Sequence, residues 1–331
     1  MMTKMGGPRI SRTTFVLGAG FSKAAGFPLV RDLRSGVLDF VARNPDPSWS
    51  ADLTPGAKGF PLGQFYEGLQ AADPSGTLGF EELLIKLNEF NGQSFHPALR
   101  SRTILEAGCA RLFWQIQKLL VTVPPCYRNF AEWLFSSGGM PKHSVVSFNW
   151  DLVVERALEE QSFNWFYSRI TDNSVAVLKP HGSINLSHHR GQGAAGSDEW
   201  AQAVLGGTVD CLRNEIFRDP FEGGINEQFR FMILPGTPTG GSLSEAAEPI
   251  WSMARQVLEK SETIVFIGYS LPVYDAGAAT RLKDCCSGKR IEVYNPNATD
   301  LLRFKDLLDS NVLLEEKKFE DCLYGSPPPW V

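Results

Sequence analysis

The stretch TTFVLGAGFSKAAGFP, Thr13 to Pro28, decides how the rest of the chain is read. An apolar, β-branched run stops at Gly18-Ala19-Gly20, and a segment of small residues follows. This is the pattern of a strand feeding a glycine turn and then a helix. Neither common nucleotide fingerprint fits. A Walker A loop needs a Lys-Ser or Lys-Thr pair directly after its second glycine, and none follows here at that spacing. A dinucleotide G-x-G-x-x-G loop needs a third glycine where this chain has Lys23, and the next glycine is Gly26. Two readings stay open on this stretch alone. Gly18 and Gly20 could admit a phosphate close to the backbone, with the Phe21 and Ser22 amides at the positive end of a helix. Alternatively the glycines serve only the geometry of a tight turn. Asp39 lies about where a ribose-binding acid would fall, but it sits within the amphipathic GVLDFVARN and reads as a solvated helix face.

Similar apolar runs recur along the chain: SVVSF (144–148), VAVLK (175–179), FRFMIL (229–234), TIVFIG (263–268) and RIEVYN (290–295). Their unbroken apolar character suits strands buried on both faces. Amphipathic helical patterns alternate with them, in DLVVERALEE from Asp151, EPIWSMARQVLEK ending at Lys260, and DLLRFKDLLDS from Asp300. The expected fold class is α/β, a doubly wound, Rossmann-like parallel sheet. Asn44 to Pro141 is too long for one crossover and contains helical patterns at 80–90 and 104–123, the second stopped by Pro124-Pro125. The expected organisation is an α/β domain of residues 1–43 and 142–331 with a helical insertion at 44–141. The glycine-rich SHHRGQGAAGSDEW (187–200) reads as a loop, and the GSPPPWV tail as extended.

The polar residues cluster where the strands end. After the runs come Gly18-Ala19-Gly20, Asn149-Trp150-Asp151, His181-Gly182-Ser183, Pro235-Gly236, Gly268-Tyr269-Ser270 and Asn295-Pro296-Asn297. In an open parallel sheet all carboxyl ends share one edge, and ligands bind outside it. Segments distant in sequence are therefore expected to meet at one cleft.

The 331 residues are 43% hydrophobic with a formal net charge of -5 and no basic block, so composition gives no push towards direct nucleic-acid binding. Six scattered cysteines form no C-x-x-C pair, which argues against a zinc ribbon and a disulfide framework. The first residues, MMTKMGGPRISRT, lack the apolar core of a signal peptide, and no run is long enough for a bilayer. The expectation is a cytoplasmic protein without a membrane partner.

Three polar residues stand out. Asp151 is placed to cap the following helix. Asn149, at a strand end, has no such local task, and its carboxamide suits orienting a water or a ribose hydroxyl. His181, between proline and glycine on the ligand edge, is the natural general base. His96, His143, His188 and His189 read as structural or solvated, and Cys285 and Cys286 as helix or turn residues.

Together these segments resemble the Sir2 (sirtuin) superfamily, in its prokaryotic Sir2-like branch. GAGFSKAAGFP resembles GAG-x-S-x-x-x-G-x-P, SFNWD resembles T-x-N-x-D, and KPHGSI resembles K-x-HG-S. GYSLPVYD is similar to G-x-S-L, and YNPN to the adenosine-side strand end. The resemblance spans Thr13 to about Asn297. It implies a Sir2-type fold with NAD⁺ as substrate. Gly18, Ala19, Gly20, Phe21 and Ser22 would hold the pyrophosphate, with Pro28 and Gly182 inside the two motifs. Gly268, Ser270 and Asn295 would line the adenosine side, and Asn149, Asp151 and His181 would carry the chemistry at the nicotinamide end.

One departure matters. Protein-deacylating sirtuins carry a four-cysteine zinc module after the histidine motif, where this chain has only Cys211. No metal is therefore expected. The resemblance then implies an NAD⁺ glycohydrolase releasing nicotinamide and ADP-ribose, in bacterial anti-phage defence. The alternatives are an NAD⁺-dependent protein deacylase and a non-catalytic sensor subunit for NAD or ADP-ribose. Such an effector must be silent until triggered, so control is expected from homo-oligomerisation or from a separate regulatory protein, an ATPase or a nucleic-acid sensor.

Overall fold

The computed structural model describes residues 13–44, 62–90, 97–135, 143–167, 174–189, 228–232, 234, 242–308 and 312–322. The opening stretch forms β1 (Thr13–Leu17), every residue of which is buried. It is buried because a parallel strand lies on each side of it: β2 (Ser144–Ser147) on one and β7 (Thr263–Ile267) on the other. Beyond β2 lie β4 (Val175–Leu178) and the short β3 (Trp165–Phe166). Beyond β7 lie β8 (Arg290–Tyr294) and β9 (Val312–Glu315). The order is β3-β4-β2-β1-β7-β8-β9 in a seven-stranded sheet, with every pairing parallel. This is the expected doubly wound α/β fold. The chain moves to one side of β1 and later returns to the other, so the direction of winding reverses at β1, where an open sheet forms its ligand crevice.

The run at 229–234 departs from expectation. It gives β6 (Gln228–Met232), which pairs antiparallel with β5 (Gly182–His189) in a separate two-stranded sheet. A short apolar run does not say which sheet will take it. Ser187 to His189, expected in a loop, belong to β5. Residues 190–200, Pro235-Gly236, Cys211 and the tail lie outside the described residues. β3 and β9 are additions to the sequence reading. Two residues carry no periodicity, and β9 is a partly exposed edge strand of mixed pattern.

The helices follow the apolar periodicity. After β1 come α1 (Ala19–Ser22) and α2 (Val30–Arg43), then α3 (Leu62–Ala72), α4 (Phe80–Asn88), α5 (Pro97–Leu119) and α6 (Pro125–Trp133). The strand helices are α7 (Val153–Glu160), α8 (Ser242–Lys260), α9 (Ala276–Cys286) and α10 (Ala298–Leu307). α5 packs on α2, α3 and α4, and one continuous buried cluster runs from β1 through these helices. α4 is fixed at its start by the buried Phe80 and by the Gly79 amide, which donates to Glu82 Oε2 at 3.0 Å. The α3–α4 turn is tied to α2 by Asp73. Its carboxylate accepts from Arg34 Nη1 at 2.7 Å, Ser75 Oγ at 2.9 Å and the Leu78 amide at 3.1 Å. Burial favours the neutral form of this carboxyl, but the Arg34 guanidinium and the other donors prevail and hold it at about 2. Among the described residues, no helix is long and apolar enough to cross a membrane.

Candidate active site

The loops at the carboxyl edge are tied together by backbone hydrogen bonds. The Gly18 amide donates to Ile267 O at 3.0 Å, Phe148 to Leu17 O at 2.9 Å, and Gly268 to Tyr294 O at 2.9 Å. Each extends the sheet by one step past its last strand residue, so the loops leave from a common level. The β1 and β7 loops then cross in near contact. A Cβ on Gly18 would lie 2.5 Å from Tyr269 Cα, and one on Gly268, whose φ is +61, would lie 2.3 Å from the Phe21 amide nitrogen. Only glycine fits either place. The Phe21 amide donates to Gly18 O at 2.8 Å and the Phe21 ring is buried, packed on Tyr127 and Phe130. Tyr127 Oη donates to Phe21 O at 2.7 Å and accepts from the Ala25 amide at 3.1 Å, bracing the loop from behind.

The crossing loops wall a cavity of about 300 Å³. Of the residues expected there, Gly18, Ala19, Ser22, Pro28, Asn149, Asp151, His181, Gly268 and Ser270 line it. Gly20, Phe21, Gly182 and Asn295 stand behind that lining. Asn295 is buried and works inside the protein: its Nδ2 donates to Tyr269 O at 3.2 Å and its Oδ1 accepts from the Asn297 amide at 2.9 Å. Gly182 takes a φ of +75 directly after His181.

Asn149 Nδ2 donates to Gly18 O at 2.9 Å and to Ser22 Oγ at 3.0 Å. Both amide protons are thereby engaged, and what the side chain can offer a ligand is its carbonyl oxygen. Asp151 also bonds Ser22, and its Oδ1 accepts from the Val153 amide at 3.1 Å, so it caps α7 from just outside the helix, one residue earlier than a standard cap. Burial raises the Asp151 carboxyl above its ordinary value against the pull of Lys179, Ser22 and the Val153 amide. Lys179 is itself buried. Its Nζ donates to Asp151 O, to Glu155 Oε1 at 2.9 Å and to Ser183 Oγ at 2.9 Å. Tyr167 Oη donates to the same Glu155 oxygen at 2.8 Å. This network holds the Lys179–Ser183 turn and sets the position of His181.

His181 stands edge-on to Phe148, with ring centroids 4.8 Å apart, and its Nε2 lies 3.2 Å from Asp275 Oδ2. Asp275 caps α9 by accepting from the Ala278 amide at 3.4 Å, and it accepts from Tyr269 Oη at 3.2 Å. Burial favours protonation of Asp275, but the His181 imidazole and these donors outweigh it and hold the carboxyl below its ordinary value. Glu81, from the start of α4, lines the same cavity. Burial first and the Asp275 charge second push it up to about 7, with His181 opposing.

Aromatic side chains form much of the remaining wall. Phe148 and Tyr269 stack at 4.6 Å, and Phe113, Trp150 and Trp251 complete it. Trp150 Nε1 is buried without an acceptor among the described residues, a spare donor in that wall. At one side Arg281 lies over the Trp251 ring at 5.0 Å and pairs with Glu248 at 2.5 Å.

Sequence reasoning missed Glu81, Asp275, Trp251 and Arg281. Asp275 and Tyr269 lie within the quoted GYSLPVYD segment, so the position of that segment after a strand was the available signal. Glu81 carried none, because FEELL reads as an ordinary amphipathic helix start.

No protein-family model matches the chain, and no curated protein does. The chain is similar to solved structures of Sir2 proteins. One is a mutant Sir2 homologue in complex with ADP-ribose, with 14% identity, 94% of this chain and 88% of that chain covered, and a TM-score of 0.45. A second is a Sir2 complex with p53 peptide and NAD⁺, with 15% identity, 94% and 90% covered, and a TM-score of 0.41. A third is Sir2Tm bound to a propionylated peptide, with 14% identity, 94% and 90% covered, and a TM-score of 0.42. The segments that carry the Sir2 resemblance in sequence follow β1, β2, β4, β7 and β8, the strands of the carboxyl edge. Among the described residues no group of His, Cys, Asp and Glu side chains is arranged to hold a metal ion.

Proposed function

We propose that this protein cleaves the glycosidic bond of NAD⁺ with water, releasing nicotinamide and ADP-ribose. The observation that carries the reading is the convergence of three unlike groups on one cavity: the Gly18–Ser22 loop, the Asn149 carboxamide, and an imidazole backed by a carboxylate. Holding a pyrophosphate requires none of the last three side chains. Moving a proton off a bound nucleophile does.

The chemistry suits the wall. The nicotinamide ring of the substrate is flat and cationic, and flat cations sit well on aromatic faces beside carboxylates. Phe148, Tyr269 and Trp251 with Asp275 supply both. As the C–N bond breaks, its electron pair neutralises the ring nitrogen, so the leaving group needs no acid. The attacking water must lose a proton, and it needs a base. With Nε2 of His181 directed at Asp275, Nδ1 is the nitrogen left to receive that proton. Asn149 O orients the water or a ribose hydroxyl. The Gly18–Ser22 loop holds the pyrophosphate, and Gly268 and Ser270 face the adenosine side. Asp151 ties Ser22 to the start of α7.

Cys109, Cys126, Cys285 and Cys286 are free, which suits a reducing compartment such as the cytoplasm. A role in anti-phage defence, and control by self-assembly or by a separate sensor protein, rest on the sequence resemblance alone. The deciding assay is nicotinamide release from NAD⁺ with and without an acylated lysine peptide. Release without peptide, accompanied by ADP-ribose, supports hydrolysis. Release only with peptide shows a deacylase instead.

A further inference from the structure

The helical segment between β1 and β2 places one ionisable side chain in the cavity that the proposed reaction leaves unused. Glu81 lines the cavity together with His181 and Asp275. Its backbone is fixed, since Glu82 caps α4 and accepts from Tyr274 Oη, the residue beside Asp275. The neighbouring carboxylates already have partners. Asp275 has His181, and Glu248 has Arg281. Among the described residues Glu81 has neither a cation nor a hydrogen-bond donor.

We propose that Glu81 takes up, through His181, the proton released when water attacks the anomeric carbon of the bound substrate. The inference rests on the hydrolysis proposed for this site. An O–H bond of water breaks, and its oxygen bonds to the anomeric carbon. The C–N pair leaves with nicotinamide. The proton passes to His181 and on, through water in the shared cavity, to the Glu81 carboxylate, which frees the imidazole for the next turnover. Glu81 is thus a positioning residue for protons, acting on the base and not on the substrate.

The charged and titratable groups around it support this. Glu82 shares its helix. Tyr269, Tyr274 and Asp275 face it from the β7–α9 loop, and His181 from the loop after β4. Glu248 and Arg281, on α8 and α9, neutralise each other. Behind α4, Arg34 pairs with Asp73 at 2.7 Å and Arg102 with Glu106 at 2.8 Å. With burial and the Asp275 charge holding the Glu81 carboxyl at about 7, it exchanges its proton at neutral pH. Below that pH it is already protonated and accepts nothing, so turnover falls on the acid side.

The test is the pH profile of kcat for nicotinamide release by wild type, Glu81→Gln and Glu81→Asp, each checked for an unchanged melting transition. Wild type is expected to lose activity below about 7, by up to roughly tenfold per pH unit. Glu81→Gln is expected to shift that limb, since His181 must still be unprotonated to act, and to be slower at pH 8 by on the order of 10²-fold. Glu81→Asp should restore the position of the limb at reduced rate. An active wild type with a Glu81→Gln variant of equal kcat and the same profile overturns the role of Glu81 and leaves the hydrolysis standing. A wild type that releases no nicotinamide overturns the hydrolysis itself, and this inference with it.

Discussion

His181 Nε2 lies 3.2 Å from Asp275 Oδ2, a contact that joins the loop after β4 to the N-cap of α9. Asp275 does two jobs there, as partner of the imidazole and as cap of the helix. Asparagine can still cap the helix, but it carries no charge to stabilise the protonated imidazole and can turn its NH2 towards it. Asp275→Asn should therefore leave the melting temperature nearly unchanged while lowering kcat by on the order of 10²-fold or more, the usual reach of a misoriented base. Steady-state kinetics beside a thermal melt check this. Loss of folding together with activity would make the contact structural.

Gly268 and Gly26 both have positive φ, +61 and +90, yet they should respond differently to alanine. Around Gly26 a Cβ meets open space, so the cost is backbone strain alone, about 1–2 kcal/mol. At Gly268 the Cβ would lie 2.3 Å from the Phe21 nitrogen, forcing the β1 and β7 loops apart. Gly268→Ala should cost clearly more, about 3 kcal/mol or above, and should abolish nucleotide binding. Urea unfolding and calorimetry with ADP-ribose measure the two effects.

Much of this was legible in the sequence, and the exceptions have physical causes. Central strands such as β1 and β7 are buried on both faces, so their composition alone marks them. The opening loop left a choice between phosphate cradle and tight turn. The structure shows that Gly18 and Gly268 are required by loop crossing, and the same crossing forms the cavity wall. β6 was misplaced because apolar content does not encode its pairing partner. Asn149, Asp151 and His181 were findable from their position after strands. Glu81 was not, since its place in the cavity depends on how α4 packs against the β7–α9 loop, which no local pattern reports.

Lys179 and Glu155 form a buried ion pair beneath the His181 turn. Removing one partner strands the other charge. Lys179→Met should destabilise by about 3–5 kcal/mol. The double change Lys179→Met with Glu155→Gln should recover a good part of that loss, because the uncompensated carboxylate is gone. Denaturant midpoints of the single and double variants decide it, and an additive double variant would contradict the coupling.

Asp73 gives the fold a pH signature separate from the site. Its folded value, about 2, lies below the ordinary 3.8, so its contribution is fully present above about 3.8 and is lost as pH falls through about 2. Asp73→Asn should be less stable than wild type at pH 7, and the gap should close as the pH is lowered from 4 towards 2. Urea midpoints across that range test the sign.

The central claim is that the cavity at the β1 switch point breaks the C–N bond of NAD⁺ with Asn149 and His181 in attendance. The most direct measurement is chromatographic quantification of nicotinamide and ADP-ribose after incubation of NAD⁺ with wild type, Asn149→Ala and His181→Ala. The account predicts equal amounts of the two products from wild type, and a loss on the order of 10²-fold or more in each variant. The same product yield from all three proteins, or no nicotinamide from wild type, would contradict it.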